Sequence, residues 1–317
     1  MNKFQKLISR ITDFFKDLIV FGFIIAINNF LWPYLKFMPA IFTKWLIKIS
    51  NKKIIEYLSK RYSNLISNFK FEEGTTADYN GAIWFCWLQG ENNMPETIQI
   101  CLKSLKKHAN NHPIKIITLT NYKEYIDIPD FIIQKYIKGE IKNAHFADII
   151  RTCLLYEHGG VWLDSTLLIT QDLPETIFNA PFYSCKFNSE TLYITQCKWS
   201  NFFLCSQKKS PIFSFTKNLF FEYLKEEKRF INYFLMDYII YLGYTIFPEI
   251  KSEINNTPIN NKNIHALSQI INKPFETSNW QQICEDTYIF KLSWKTRYID
   301  FNDGYSTYWH YIKQNIV

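Results

Sequence analysis

At 317 residues, 47% of them hydrophobic and 18% aromatic, the chain can bury one large core with an appendage, and its 9 glycines are too few for a loop-rich all-β fold. The net charge of +7 is confined to one part: residues 1–70 hold 12 Lys/Arg against 3 Asp/Glu, and the remainder holds 24 against 26. A near-neutral body excludes nucleic acid as the expected partner, and the absence of repeats or low-complexity tracts excludes a solenoid.

The basic segment begins with Phe4, Leu7, Ile8, Ile11, Phe14, Phe15, Leu18 and Ile19 at helical spacing, with Lys3, Lys6, Arg10, Asp13, Lys16 and Asp17 on the other side. The run LIVFGFIIAI (18–27) is apolar all round and stops at Asn28-Asn29. Even extended to Trp32 it is shorter than the roughly 20 clean residues of a spanning helix, and no small-residue cleavage site points to secretion. Trp32, Tyr34, Trp45 and the lysines of 44–53 fit the anchors of a helical arm over 1–70 that lies on an anionic membrane surface. Two alternatives stand beside it: a helical layer packed on the body, and a single span over about 14–32. The 7 scattered cysteines form no CxxC or CxxH pair, so neither a zinc site nor a redox motif is supported. They fit reduced buried thiols in a cytosolic setting, which places the protein on the cytoplasmic face of the inner membrane.

A polar linker, FEEGTTADYNG (71–81), sets off a second unit over 80–317. AIWFCWLQG (82–90) reads as a buried strand ending on Trp87, Gln89 and Gly90. Pro95 opens a helix over 96–109 with Ile98, Cys101, Leu102 and Leu105 on one face, and IKIITLT (114–120) is the next strand, ending at Asn121-Tyr122. This β-α-β order predicts a parallel sheet whose ligands sit beyond the carboxyl ends of the strands. A short helix within 126–141 follows, with its own glycine stop.

The stretch HFADIIRTCLLYEHGGVWLDSTLLIT (145–170) carries the chemistry. Residues 145–157 form a helix in which Asp148 and Arg151 share a face, and His158-Gly159-Gly160 stops it. A strand pair follows, interrupted by Asp164-Ser165-Thr166, and a carboxylate in such apolar surroundings must be solvated, paired or bound to something. Downstream, FINYFLMDYIIYLGY (230–244) reads as a buried helix with Asp237, either an acceptor-side carboxylate or a satisfied core acid. KLSWKTRY (291–298) offers Lys295 and Arg297, and TYWHYI (307–312) offers His310; their plainer readings are a solvated face and a satisfied histidine. Trp87 could equally be core, and the aromatic run 182–223 reads as packing.

Three segments, IWFCWLQGENNMPETIQICLKSLKKH, NYKEYIDIPDFIIQKYIKGEI and HFADIIRTCLLYEHGGVWLDST, resemble the capsular polysaccharide synthesis proteins, relatives of glycosyltransferase family 32. The resemblance covers about residues 80–180 strongly and the rest weakly. It implies a GT-A fold, Rossmann-like with a mostly parallel sheet flanked by helices. It also implies a nucleotide-sugar donor, UDP-hexose foremost, and a glycan or lipid-linked glycan acceptor. Transfer would retain configuration and give an α-linkage. Trp87 matches the aromatic that stacks on the donor base, with Gln89 and Gly90 beside it. Asp148 and Arg151 match the pair that holds the donor sugar and ribose-diphosphate. Asp164 matches the first acid of a DxD-type motif, with Gly160, Ser165 and Thr166 around it. The implied cofactor is Mn²⁺ or Mg²⁺ on Asp164. Thr166 departs from the pattern, because a neutral hydroxyl is a poorer ligand for a hard dication than the usual second acid, and this puts metal dependence in question. Two other functions were open: a non-catalytic subunit of a polysaccharide assembly, which Thr166 would favour, and a phosphotransferase using Asp164, for which acids at the right spacing are missing.

Overall fold

The structure is a computed structural model that describes residues 3–72, 81–187 and 191–317; residues 73–80 of the linker lie outside the described residues. The chain opens with α1 (Lys3–Phe21), α2 (Phe23–Leu31), α3 (Ala40–Arg61) and α4 (Ser63–Ser67). Gly22, at φ +83°, breaks the apolar run between α1 and α2. The two helices then fold back on each other. Arg10 NH1 donates to Tyr34 Oη at 2.9 Å, Phe14 meets the Phe30 ring edge at 5.7 Å, and Asn29 Nδ2 donates to Asp17 Oδ2 at 3.1 Å. Among the described residues no helix is long and apolar enough to cross a membrane. This overturns the single span over about 14–32: the left-handed Gly22 turn splits the run, and polar side chains on both helices are claimed by the body.

That claim is specific. Asn29 Nδ2 also donates to the Ile231 carbonyl (2.9 Å), Asn232 Nδ2 donates to Asn29 Oδ1 (2.9 Å), and Arg229 reaches Asp17 (2.8 Å) and Asp13 (3.0 Å). From α3, Asn51 Oδ1 accepts from Tyr238 Oη at 2.6 Å and Tyr57 Oη donates to Glu227 at 2.6 Å. Phe21, Ile25, Ile54, Leu58 and Tyr62 share one apolar core with the body. The opening helices are therefore a layer packed on it, while Ile19 (84%), Phe37 (77%) and Ile41 (86%) leave apolar area exposed.

The body continues through β1 (Ile83–Cys86), α5 (Glu96–His108), β2 (Ile114–Ile117), α6 (Asp130–Ile137), α7 (Asn143–Glu157), β3 (Gly160–Asp164) and β4 (Leu167–Ile169). Then come α8 (Glu175–Phe178), β5 (Phe182–Ser184), β6 (Phe203–Ser206), α9 (Pro211–Glu226), α10 (Leu235–Ile246) and α11 (Pro248–Asn256). The chain closes with α12 (Ala266–Ile270), α13 (Thr277–Cys284), β7 (Ile289–Lys291), β8 (Phe301–Asn302), β9 (Tyr305–Ser306) and α14 (Tyr308–Asn315). Local chemistry sets several boundaries: Ser210 caps α9 ahead of Pro211 at its first position, and Thr307 caps α14 by accepting from the His310 N–H.

The main sheet runs β2-β1-β3-β6-β5. Its β2–β1 and β1–β3 pairs are parallel, but β3–β6 and β6–β5 are antiparallel, so the sheet is mixed rather than mostly parallel. The connections differ: β1 reaches β2 through α5 and β2 reaches β3 through α6 and α7, whereas among the described residues β3 and β6 are joined with no helix longer than the four-residue α8. Alternation along the strands feeds two cores. Trp84, Cys86, Trp162 and Leu204 face α7, α9 and α10, while Ile83, Phe85, Val161, Leu163 and Phe203 face α5 and α8. The expected strand pair across 161–170 divides between sheets, because β4 leaves β3 to pair antiparallel with β7. That register sets Leu167 opposite Lys291.

Candidate functional site

A cavity of about 1150 Å³ opens beyond the carboxyl ends of β1 and β3. It exceeds the roughly 300–1,000 Å³ of single-ligand pockets, which leaves room for two reactants. One wall holds the strand ends and the α7 face. The other is aromatic, built from Trp32 of the opening helices, the loop carrying Leu192, Tyr193 and Trp199, and Tyr233 and Phe234 ahead of α10.

The charged wall is cross-bonded. Arg151, only 6% exposed, reaches Asp148 Oδ1 through NH1 (3.4 Å) and Asp164 Oδ1 through NH2 (3.2 Å), with its guanidinium 4.7 Å over the Trp162 ring. Trp162 Nε1 donates to the same Asp164 oxygen at 2.9 Å. Lys291 Nζ donates to Asp164 Oδ2 at 3.0 Å and to Thr166 Oγ1 at 2.5 Å. Buried charges held this way are costly to uncouple, on the order of 3–5 kcal/mol when one partner is removed, because the other is left buried and unpaired.

These contacts sort the carboxyls. Burial raises the Asp164 carboxyl, but the Lys291 and Arg151 charges and the hydrogen bonds from Trp162 and Lys291 outweigh it and hold it below its ordinary value. Asp148 is pushed up to about 6 by burial, with Arg151 opposing and Asp164 adding. Asp237, in the first turn of α10, is pushed up to about 7 by burial although Trp199 Nε1 donates to it at 2.9 Å. Cys86 lines the cavity, but burial raises its thiol to about 12, so it is no nucleophile at neutral pH.

The implied dication does not fit this donor set. Asp164 is its one strand-end acid, and both oxygens already accept hydrogen bonds from Arg151, Trp162 and Lys291. Thr166 carries no charge, and no group of three or more His, Cys, Asp or Glu suited to a metal exists among the described residues. A dication roughly 4 Å from Lys291 would meet a repulsion of about 8 kcal/mol at an effective dielectric near 20.

Of the residues expected from sequence, Trp87, Gln89, Asp148, Arg151, Asp164, Ser165, Thr166, Asp237 and Lys295 all line this cavity. Three do not. Gly160 sits at the opposite end of β3, about 13 Å away along the strand. Its φ of +94° and a would-be Cβ 2.4 Å from the Ala82 carbonyl oxygen give it a backbone role, with Trp84 Nε1 bonded to the adjacent Gly159 carbonyl. Gly90, at φ +88°, forms the turn that follows β1, and Gln89 beside it reaches the cavity instead. His310 is carried off by α14, where it faces Asp300 at 3.8 Å and the Phe301 ring at 4.9 Å. Arg297 also lies outside the lining.

Sequence reasoning missed Lys291, Trp162 and the contribution of the opening helices (Trp32, Ile47 and Asn51). A signal for Lys291 was present: it ends a short apolar run, YIFK, much as Asp164 ends VWLD. Attention went instead to the more visibly clustered Lys295 and Arg297.

An O-glycosyltransferase, braB, of Annulohypoxylon truncatum is 22% identical over 156 residues, which is 46% of this chain but 33% of that protein, so the chain spans about a third of that relative's length. Among solved structures the PaToxG glycosyltransferase aligns over 66% of this chain and 83% of its own at 16% identity, with a TM-score of 0.37, too low to bear on the fold. The capsular polysaccharide synthesis protein model matches residues 42–312, from within α3 to within α14, and takes in every cavity-lining residue except Trp32; the chain belongs to that family.

Proposed function

We propose that this protein is a GT-A-type glycosyltransferase that moves a hexose from a nucleoside-diphosphate sugar to a hydroxyl of a growing surface glycan, with retention and an α-linkage. The observation that carries the reading is the Arg151–Asp164–Lys291 cluster at the strand ends of a two-reactant cavity. In the transfer, the bond from the sugar C1 to the diphosphate oxygen breaks and its electron pair stays on that oxygen. The acceptor hydroxyl oxygen bonds to C1 from the same face and passes its proton to the departing diphosphate. Lys291 and Lys295 line the cavity, and we assign them to the diphosphate, where electrostatic stabilisation of the gathering negative charge is the principal catalytic term. Trp87, which meets Trp294 edge-on at 5.7 Å, is placed to stack on a base. Asp148 and Asp237 offer acceptors for sugar hydroxyls.

The acceptor is a glycan or a lipid-linked glycan. The aromatic wall and the exposed apolar residues of the opening helices, interleaved with Lys16, Lys36, Lys44 and Lys48, support docking on the anionic cytoplasmic face of the inner membrane. The second reading, a non-catalytic subunit of a polysaccharide assembly, is favoured by Thr166 alone. A panel of UDP- and GDP-sugars with mass-spectrometric product detection tests the proposal: transfer or donor hydrolysis by the wild type, lost in Asp164→Ala, is expected. Absence of donor binding by calorimetry would leave the subunit reading.

A further inference from the structure

We infer that the ammonium of Lys291 occupies the place of the divalent cation in this site, so that the diphosphate of the donor is held by the chain's own cations without a metal. This rests on the donor reading above and goes further, since it assigns the neutralising charge to one side chain and predicts the metal response.

The argument is geometric. A DxD-type motif presents two acids, one residue apart, to one cation. Here the corresponding positions are Asp164 and Thr166, and a single ammonium bridges them, 3.0 Å from Asp164 Oδ2 and 2.5 Å from Thr166 Oγ1. The pairing register explains how it arrives: β4 and β7 align Leu167 with Lys291, and the Leu292 N–H donates to the Thr166 carbonyl at 2.9 Å, so the β7 strand end is bolted to the motif's own turn. A threonine complements an ammonium better than it would a dication, because it accepts a hydrogen bond without needing to supply charge. A second aspartate here would add an anion beside the diphosphate with no dication to offset it.

Charge and donor counts agree. Asp164 is flanked by two cations, Arg151 and Lys291; Arg151 is shared with Asp148 at 3.4 Å, whereas Lys291 pairs with no carboxylate but Asp164 among the described residues. An ammonium has three N–H donors, of which Asp164 and Thr166 take two, leaving one for a phosphate oxygen. Lys295 lines the same cavity and adds a second cation within reach of the same ligand. The Lys291 ammonium also lies 5.4 Å over the Phe202 ring, a contact that suits a monovalent organic cation.

The test is calorimetry with UDP, GDP and inorganic pyrophosphate on the full chain, each run with excess EDTA and again with MnCl₂. The wild type is expected to bind at least one nucleoside diphosphate with the same Kd, within about twofold, in both conditions. Lys291→Met should weaken that binding tenfold or more, and Lys291→Arg should keep it within about threefold. A Kd that improves tenfold or more with Mn²⁺, or binding seen only with the metal, overturns the inference while leaving the nucleotide-sugar reading standing. Unchanged affinity in a folded Lys291→Met also overturns it. If none of the three probes binds in either condition, both the inference and the donor reading fall. The wild-type comparison needs no variant, so the inference stays exposed even if Lys291→Met does not fold.

Discussion

The two ends of β3 are four residues apart in one motif, GGVWLD, yet they answer to different demands. At the Gly159-Gly160 end the backbone runs at positive φ against Ala82 and Trp84, and any side chain would collide with main-chain atoms. At the Asp164 end nothing about the backbone requires aspartate; what requires it is the pair of cations on either side. One end is held by shape and the other by charge, so a motif that looks uniform in sequence divides into a folding half and a chemical half.

This contrast can be broken by substitution, beginning where the largest loss is expected. Arg151→Met removes a buried guanidinium from two carboxylates and a tryptophan face; we expect a loss of about 3–5 kcal/mol of stability in thermal or urea unfolding, together with lost transfer. Near wild-type unfolding would mean that the cluster is not the fixed framework described here. Asp164→Ala should lower the transfer rate about 10²–10³-fold, roughly 2.7–4 kcal/mol in the barrier, with near-UV circular dichroism preserved. Full activity in that variant would detach the strand end from the chemistry.

A pH experiment extends the contrast to the other acids of the cavity. Asp148 and Asp237 have folded pKa values of about 6 and about 7, above the ordinary carboxylate value, so the folded state holds protons that the unfolded chain has released. Their contribution to stability is complete below about pH 4 and is lost as the pH rises through 6 to 7, a fall on the order of 3–4 kcal/mol for each. Asp237→Asn should flatten that slope in melts recorded from pH 4 to 8; an unaltered slope would place the titration elsewhere. At the glycine end, Gly160→Ala should cost about 1–3 kcal/mol of stability but leave donor affinity unchanged once folded, as calorimetry can check. A selective loss of donor binding would return Gly160 to the site. Smallest of all, His310→Ala should change both stability and affinity by less than about 0.5 kcal/mol, since of its partners Phe301 is exposed and the Asp300 side chain is partly so.

Much of the site could be seen in the sequence because it is locally encoded. Asp148 and Arg151 are one helical turn apart, so periodicity put them on one face, and the apolar run before Asp164 ends where β3 ends; that the three meet in one site was what the family resemblance implied. The glycines misled in the opposite direction. Gly160 belongs to the same recognisable motif as Asp164, but a strand carries its two ends to different places, and motif membership does not distinguish them.

What local pattern could not decide was anything that depends on distant partners. The apolar run 18–27 suits a membrane, a hairpin or a packed layer equally well by composition; Asn29, Asp17 and Arg229 select the packed hairpin through hydrogen bonds spanning more than 200 residues. Lys291 lies 127 residues from Asp164 and meets it only because β4 leaves the main sheet to pair with β7. Periodicity tells which face of an element is buried, since burial repeats with the backbone's own geometry. It carries no record of which other element will cover that face, because register and pairing are settled by the packing of the whole chain.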